Sequence, residues 1–165
     1  MSSIFPSAFK NQKKILKVLV LGPYKPLKAK KRLFRLRDYL RMHGYENANV
    51  VEDFPNIPKY DEDPDIHFTL KSRDKIRNWA DVLIFVFMCQ AYNLGVWAEL
   101  DFTIKSVKDK IRLSVVYHEK GTVLSSQTRG PLKIVRMFTK EFPNDPKLFR
   151  FAFSFCTNAT YEFFL

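Results

Sequence analysis

In the stretch Asn93-Leu94-Gly95-Val96-Trp97-Ala98-Glu99-Leu100, a glutamate follows closely on an apolar run, residues 81–88, that reads as a buried strand. At about 100° per residue, a helix over 94–107 gathers Val96, Leu100, Thr103, Ile104 and Val107 into one core arc. Glu99 falls on the flank of that arc, within two turns of the strand's carboxyl end. Asp101 takes the opposite flank, and Lys105 points away. A carboxylate at the edge of a core suits displacement at an anomeric carbon, because it can attack C1′ covalently or stabilise an oxocarbenium-like centre. Such chemistry needs a partly dry pocket with aromatic walls, for which Trp97, Tyr92 and Tyr24 are the candidates. His118, at the end of a later strand, is the candidate proton donor. The competing readings are an ordinary boundary glutamate and an ordinary surface histidine.

A second chemistry attaches to Pro23-Tyr24-Lys25-Pro26-Leu27-Lys28, which leads into a helix N-terminus where free amides and the dipole favour anions. Lys25 and Lys28 are placed to hold a nucleotide's phosphates; a solvated basic helix is the plainer reading. Neither the phosphate-binding G-x-x-x-x-G-K-[ST] loop nor the dinucleotide G-x-G-x-x-G pattern occurs. His43, His67 and His118 have no metal-ligand spacing, so neither a metal nor a cofactor is expected.

These residues must be held by the surrounding elements. Val18 to Leu21 form a continuous apolar run, suited to a parallel strand covered on both faces, and residues 81–88 form a stronger one. Ala29, Leu33, Leu36 and Leu40 make one stripe of a helix over 27–43, ended at His43-Gly44, with Lys and Arg on its other faces. Residues 46–53 supply a short strand, and a Pro- and Asp-rich loop leads to Asp65 as cap of a helix over 66–79. Residues 112–119 are a further strand, 121–131 a loop with a short helical turn, and 133–138 an edge strand. Phe149, Phe151, Phe153 and Phe155 alternate as in a strand, but Asn144-Asp145-Pro146 is a helix start and a helical stripe follows, so helix is the assignment. Phe149 and Phe153 then lie off the stripe.

Strands alternating with helices predict a three-layer, flavodoxin-like α/β domain: a parallel sheet of about five strands with helices on both faces. The domain is expected over 15–165, after a flexible basic arm at 1–14. Ligands in such sheets bind outside the carboxyl ends of the strands, where strand order reverses. The turn at 22–26, the acidic loop 52–65, the loop at 89–95 and the turn at 117–121 should converge there.

Three short motifs bring a family into view: Gly22-Pro23-Tyr24 after the first strand, Trp79-Ala80-Asp81 before the central strand, and Gly95 four residues ahead of Glu99-Leu100. Over roughly residues 16–117 the chain resembles the nucleoside 2-deoxyribosyltransferase-like group and the related Toll/interleukin receptor-type domains. That resemblance implies a nucleoside or nucleotide ligand held by Gly22, Pro23, Tyr24, Tyr92, Asn93, Gly95 and Trp97, with Glu99 as nucleophile or stabiliser in N-glycosidic bond cleavage or transfer. An aspartate usually precedes the glycine of the glutamate motif, whereas this chain has Tyr92-Asn93-Leu94.

The net charge of +11 is uneven: residues 1–50 carry twelve Lys/Arg against Asp38 and Glu46, whereas 51–66 carry Lys59 against six acids. The basic helix 27–43 therefore offers a different reading, a non-enzymatic protein that binds nucleic acid or a partner protein. With 46% hydrophobic residues and sixteen phenylalanines, the chain is not a disordered one. No apolar segment reaches about 18 charge-free residues, and Cys89 and Cys156 make no disulfide framework. A soluble, cytoplasmic protein is expected, with no membrane partner. Phe102 and the off-stripe phenylalanines suggest a self-association surface, and hence a homodimer.

Overall fold

A computed structural model describes residues 4–56 and 63–164. Helix α1 (Ile4–Ile15) precedes β1 (Val18–Leu21), α2 (Leu27–Met42), β2 (Ala48–Asn49), α3 (Pro64–Asp74), β3 (Val82–Phe87), α4 (Leu94–Ser106), β4 (Ser114–Glu119), α5 (Ser126–Val135), β5 (Phe138–Phe142) and α6 (Asp145–Phe164). The five strands form one sheet in the order β2-β1-β3-β4-β5, every neighbouring pair parallel. This is the flavodoxin-like, three-layer α/β arrangement that the strand–helix alternation predicts.

The strand period of two divides the core. Val18, Val20, Val82, Ile84, Val86, Val115 and Tyr117 face a layer that includes α2 and α6. Leu19, Leu21, Leu83, Phe85, Phe87 and Val116 face the opposite layer, packed with Ile76, Val96, Leu100 and Leu132. All six residues of β3 are buried, as befits the central strand. In α2, Ala29, Leu33, Leu36 and Leu40 are the buried residues, matching the expected stripe.

Gly22 allows α2 to close on the sheet. A Cβ there would lie 2.7 Å from Leu33 Cδ1 and 3.2 Å from the Val86 carbonyl oxygen. Leu33 is fully buried and has little room to yield. Gly22→Ala is therefore expected to lower the unfolding free energy by about 1–3 kcal/mol, as overpacking does. Urea denaturation would measure it, and an unchanged midpoint would mean that Leu33 turns aside freely.

Several expectations need correction. The described part of the 1–14 arm is helical: α1 stacks Phe9 on Tyr161 of α6 at 4.8 Å, and Lys13 Nζ sits 4.9 Å from the Tyr45 ring and 5.1 Å from the Phe153 ring. The strand expected over 46–53 shortens to two residues, followed by a single 3-10 turn at Val51–Asp53. Of the acidic loop, residues 57–62 lie outside the described residues. Helix α3 is capped by Asp63 rather than Asp65: its side chain accepts from the Asp65 and Ile66 amides at 3.1 and 3.3 Å. Pro64, with φ preset for the first helical position, puts the cap one residue before itself.

The segment 121–138 differs most. Residues 126–135 are helical, and the edge strand begins at Phe138 rather than Lys133. Thr128 and Leu132, one turn apart, are buried on the same face of α5. Proline disfavours helix at the residue before it by meeting that residue's Cβ. Gly130 has none, so Pro131 is accommodated. Arg136 closes the helix in the left-handed region, φ 58°. The helical assignment for the C-terminus holds: Asn144 Oδ1 accepts from the Lys147 amide at 2.9 Å and caps α6. Its off-stripe phenylalanines are covered within the chain, Phe149 by Tyr39 at 5.3 Å and Phe153 by His43 and Tyr45. Phe102 meets the guanidinium groups of Arg73 and Arg77, 5.3 and 5.0 Å from its ring centre. The aromatics that suggested a homodimer thus have partners inside the chain. No helix among the described residues is long and apolar enough to cross a membrane.

Candidate functional site

Strand order reverses between β1 and β3, and their carboxyl ends are tied together. The Tyr92 amide donates to the Lys25 carbonyl at 3.0 Å, joining the loop after β3 to the turn after β1. Asn93 closes the loop after β3 upon itself. Its Oδ1 accepts from the Met88 amide at 3.0 Å, and its Nδ2 donates to the Met88 carbonyl at 2.9 Å.

The α2–α6 side of this reversal point is filled by charge. The Arg32 guanidinium donates to both oxygens of Glu119 and of Asp145, with Nη1 3.1 Å from Glu119 Oε1 and Nη2 2.8 Å from Asp145 Oδ1. Glu119 also accepts the Cys89 amide at 2.9 Å. One carboxylate at the end of β4 therefore holds α2 and the end of β3. Arg32 is held in its charged form by these two acids, against the cost of its partial burial.

On the opposite side, between α3 and α4, lies the cavity that contains Glu99. It measures about 110 Å³ and is lined by Phe68, Thr69, Ser72, Arg73, Gly95, Ala98 and Glu99. The Glu99 carboxylate is half-buried on its wall and accepts a hydrogen bond from the Ser72 hydroxyl. Desolvation pushes the carboxyl up from 4.5 to about 7, and the Ser72 hydroxyl opposes that rise only in part. Among the described residues no cation pairs with Glu99. Nothing approaches within 4 Å of where a Gly95 Cβ would stand, so the cavity is open on that side.

Tyr24 reaches this region from the β1 turn. Its ring meets Phe68 at 5.4 Å and Phe34 at 6.1 Å, both edge-on, and its hydroxyl accepts from the Glu52 amide at 3.3 Å. Burial raises its phenol well above the usual range, and the Glu99 charge is near enough to raise it further. Gly95 and Glu99 thus line one cavity, and Tyr24 stands behind its Phe68 wall without lining it.

The other expected residues are placed differently. Gly22 serves helix–sheet packing, Pro23 is buried, and Asn93 spends its amide on the backbone. Trp97 packs half-buried against the apolar core under α4. Tyr92, Lys25 and Lys28 are exposed and do not line the Glu99 cavity. His118 lines a separate cavity near α5 and does not line that of Glu99. Ser72, Phe68 and Arg73 escaped the sequence reading. Phe68 and Ser72 are spaced i, i+4 on α3, but two residues at that spacing point to no ligand by themselves.

Among the described residues no cluster of His, Cys, Asp and Glu could hold a metal ion. No protein-family model matches the chain, and no curated protein matches it.

Proposed function

We propose that the chain binds a nucleoside or nucleotide in the manner of the deoxyribosyltransferase-like proteins, with Glu99 acting at the anomeric carbon. The observation that carries this reading is the Glu99 carboxyl itself: half-buried on a cavity wall, unpaired by any cation among the described residues and oriented by a hydroxyl. A structural carboxylate at a helix boundary ordinarily finds a cation or full solvent; this one has neither. About 110 Å³ suits a pentose-sized group. The base and any phosphate would extend past the open side at Gly95.

In the reaction the ionised carboxylate adds to C1′ while the C1′–N bond breaks and its electron pair leaves with the base. Water, or a second base, then releases the sugar from the glycosyl ester. Ser72 holds the carboxylate by its Oε2, leaving Oε1 to attack. The carboxylate must be ionised, so activity should rise with pH through about 7, where Glu99 titrates.

The test incubates the protein with NAD and a panel of nucleosides and follows free base by chromatography. Glu99→Gln should lower base release by at least about 10³-fold, the scale on which a reacting group is lost. Equal release by the variant, or none by wild type from any substrate, would remove the enzymatic reading. The basic helix gains no support as a nucleic-acid surface, because its cations are largely engaged. Arg37 pairs with Asp53 at 2.8 Å, Arg41 with Asp53 at 3.2 Å and Lys30 with Glu52 at 2.6 Å, while Arg32 is in the buried cluster.

A further inference from the structure

We infer that the cleft between α5 and the edge strand β5 is a second ligand site, taking a small molecule in which a phosphate or carboxylate is attached to an apolar body. The cleft is about 730 Å³, within the range that encloses small-molecule ligands and much larger than a bare ion needs. It shares no lining residue with the Glu99 cavity, so the inference stands apart from the reading of that site.

Its chemistry is two-sided. Arg129, Lys133 and Arg136 all line it, at i, i+4 and i+7 along the end of α5. None of the three forms an ion pair or side-chain hydrogen bond with another described residue. Most of the basic residues on α2, by contrast, reach a carboxylate. Beneath the three cations the wall is apolar, with Leu132 and Met137 buried. A row of cations over an apolar floor fits a molecule that is charged at one end only.

The Thr122 hydroxyl supplies an independent sign of a ligand. It lines the same cleft, its oxygen is buried, and it has no hydrogen-bond partner among the described residues. A hydroxyl left so costs about 1–3 kcal/mol, and buried polar atoms without partners are few in folded proteins. A bound oxygen or nitrogen would satisfy it once the Thr122 side chain turns toward the cleft, since the hydroxyl is otherwise covered. Glu141 acts by its charge on His118, a residue of this wall, from the neighbouring strand. It forms no ion pair with the three cations.

Fluorescence titration of the full chain tests the site with 1-anilinonaphthalene-8-sulfonate, an anion on an apolar body. N-phenyl-1-naphthylamine serves as its uncharged counterpart and inorganic phosphate as the bare anion. Saturable one-site binding of the sulfonate is expected, with amide chemical-shift changes centred on residues 118–139. Arg129→Gln/Lys133→Gln should weaken it about tenfold, the worth of one or two charge-assisted contacts. Thr122→Val should weaken it by a smaller factor. Lys31→Gln/Lys147→Gln, which removes the same charge from exposed positions elsewhere, should leave it unchanged, and circular dichroism should show every variant folded. The uncharged probe and phosphate should each bind at least about tenfold more weakly. An equal loss in the Lys31/Lys147 variant, equal affinity for the uncharged probe, shift changes elsewhere, or no saturation would overturn the assignment.

Discussion

Glu99→Gln is expected to gain stability relative to wild type as pH rises, by as much as about 3 kcal/mol between pH 4.5 and 8. The Glu99 carboxyl is pushed up from 4.5 to about 7 in the folded chain. An acid that holds its proton more tightly when folded stabilises the fold below its unfolded value, and that contribution is lost as pH climbs through the folded value. Wild type should therefore weaken across this window by an amount that glutamine, neutral throughout, does not show. The carboxyl is only half-buried, which makes about 3 kcal/mol a ceiling after solvent screening. Glutamine's carbonyl oxygen can still accept from Ser72, so the site should keep its shape. Urea unfolding of both proteins at several pH values supplies the measurement. Other titrating groups cancel in the difference, and parallel curves would show that Glu99 ionises like an exposed carboxylate.

Arg32→Ala should lower the unfolding free energy by about 3 kcal/mol, toward the low end for a broken buried pair. The substitution leaves Glu119 and Asp145, with side chains only 17% and 23% exposed, facing one another with their shared cation gone. Glu119 retains the Cys89 amide and Asp145 the exposed Arg35 at 3.7 Å, but a neutral donor and a long, solvent-screened pair do not replace the Arg32 guanidinium between them. Neutralising the acids as well, in Arg32→Met/Glu119→Gln/Asp145→Asn, should recover most of the loss, since an apolar and hydrogen-bonded replacement is often as stable as the ions. Thermal unfolding of the two variants beside wild type decides the matter. A cost below about 1 kcal/mol for Arg32→Ala would place the cluster among surface ion pairs.

What could be read from the sequence was what repeats along one element. The α2 stripe, the runs of β1 and β3 and the flank position of Glu99 each follow from periodicity within a segment, and all are found in the structure. The partners of Glu99 were hidden because α3 has no apolar stripe. It buries His67, Lys71 and Ser72, and the last two take their partners from the 54–56 segment and from α4. Likewise α1 becomes intelligible only once Tyr161 and Phe153 of α6 stand opposite Phe9 and Lys13. In α5, Gly130-Pro131 resembles punctuation, and only the burial of Thr128 and Leu132 shows that the helix runs through it. The Arg32–Glu119–Asp145 cluster joins residues up to 113 positions apart, beyond any local pattern.

The Asn93 clasp has a consequence for how such a protein can diversify. Because one amide side chain secures both the Met88 amide and its carbonyl, the loop after β3 keeps its course without help from Gln90 or Tyr92, which point outward. Tyr92 contributes its backbone amide to the Lys25 carbonyl, and any residue but proline can do the same. Gln90 holds φ 57°, a conformation that glycine or asparagine adopts as readily. The Tyr92 side chain at the rim of the strand-reversal point is thus free to drift while the scaffold beneath it stays fixed, and Gln90 can change to the residues that tolerate its left-handed backbone. New recognition can be tried there at little cost to folding.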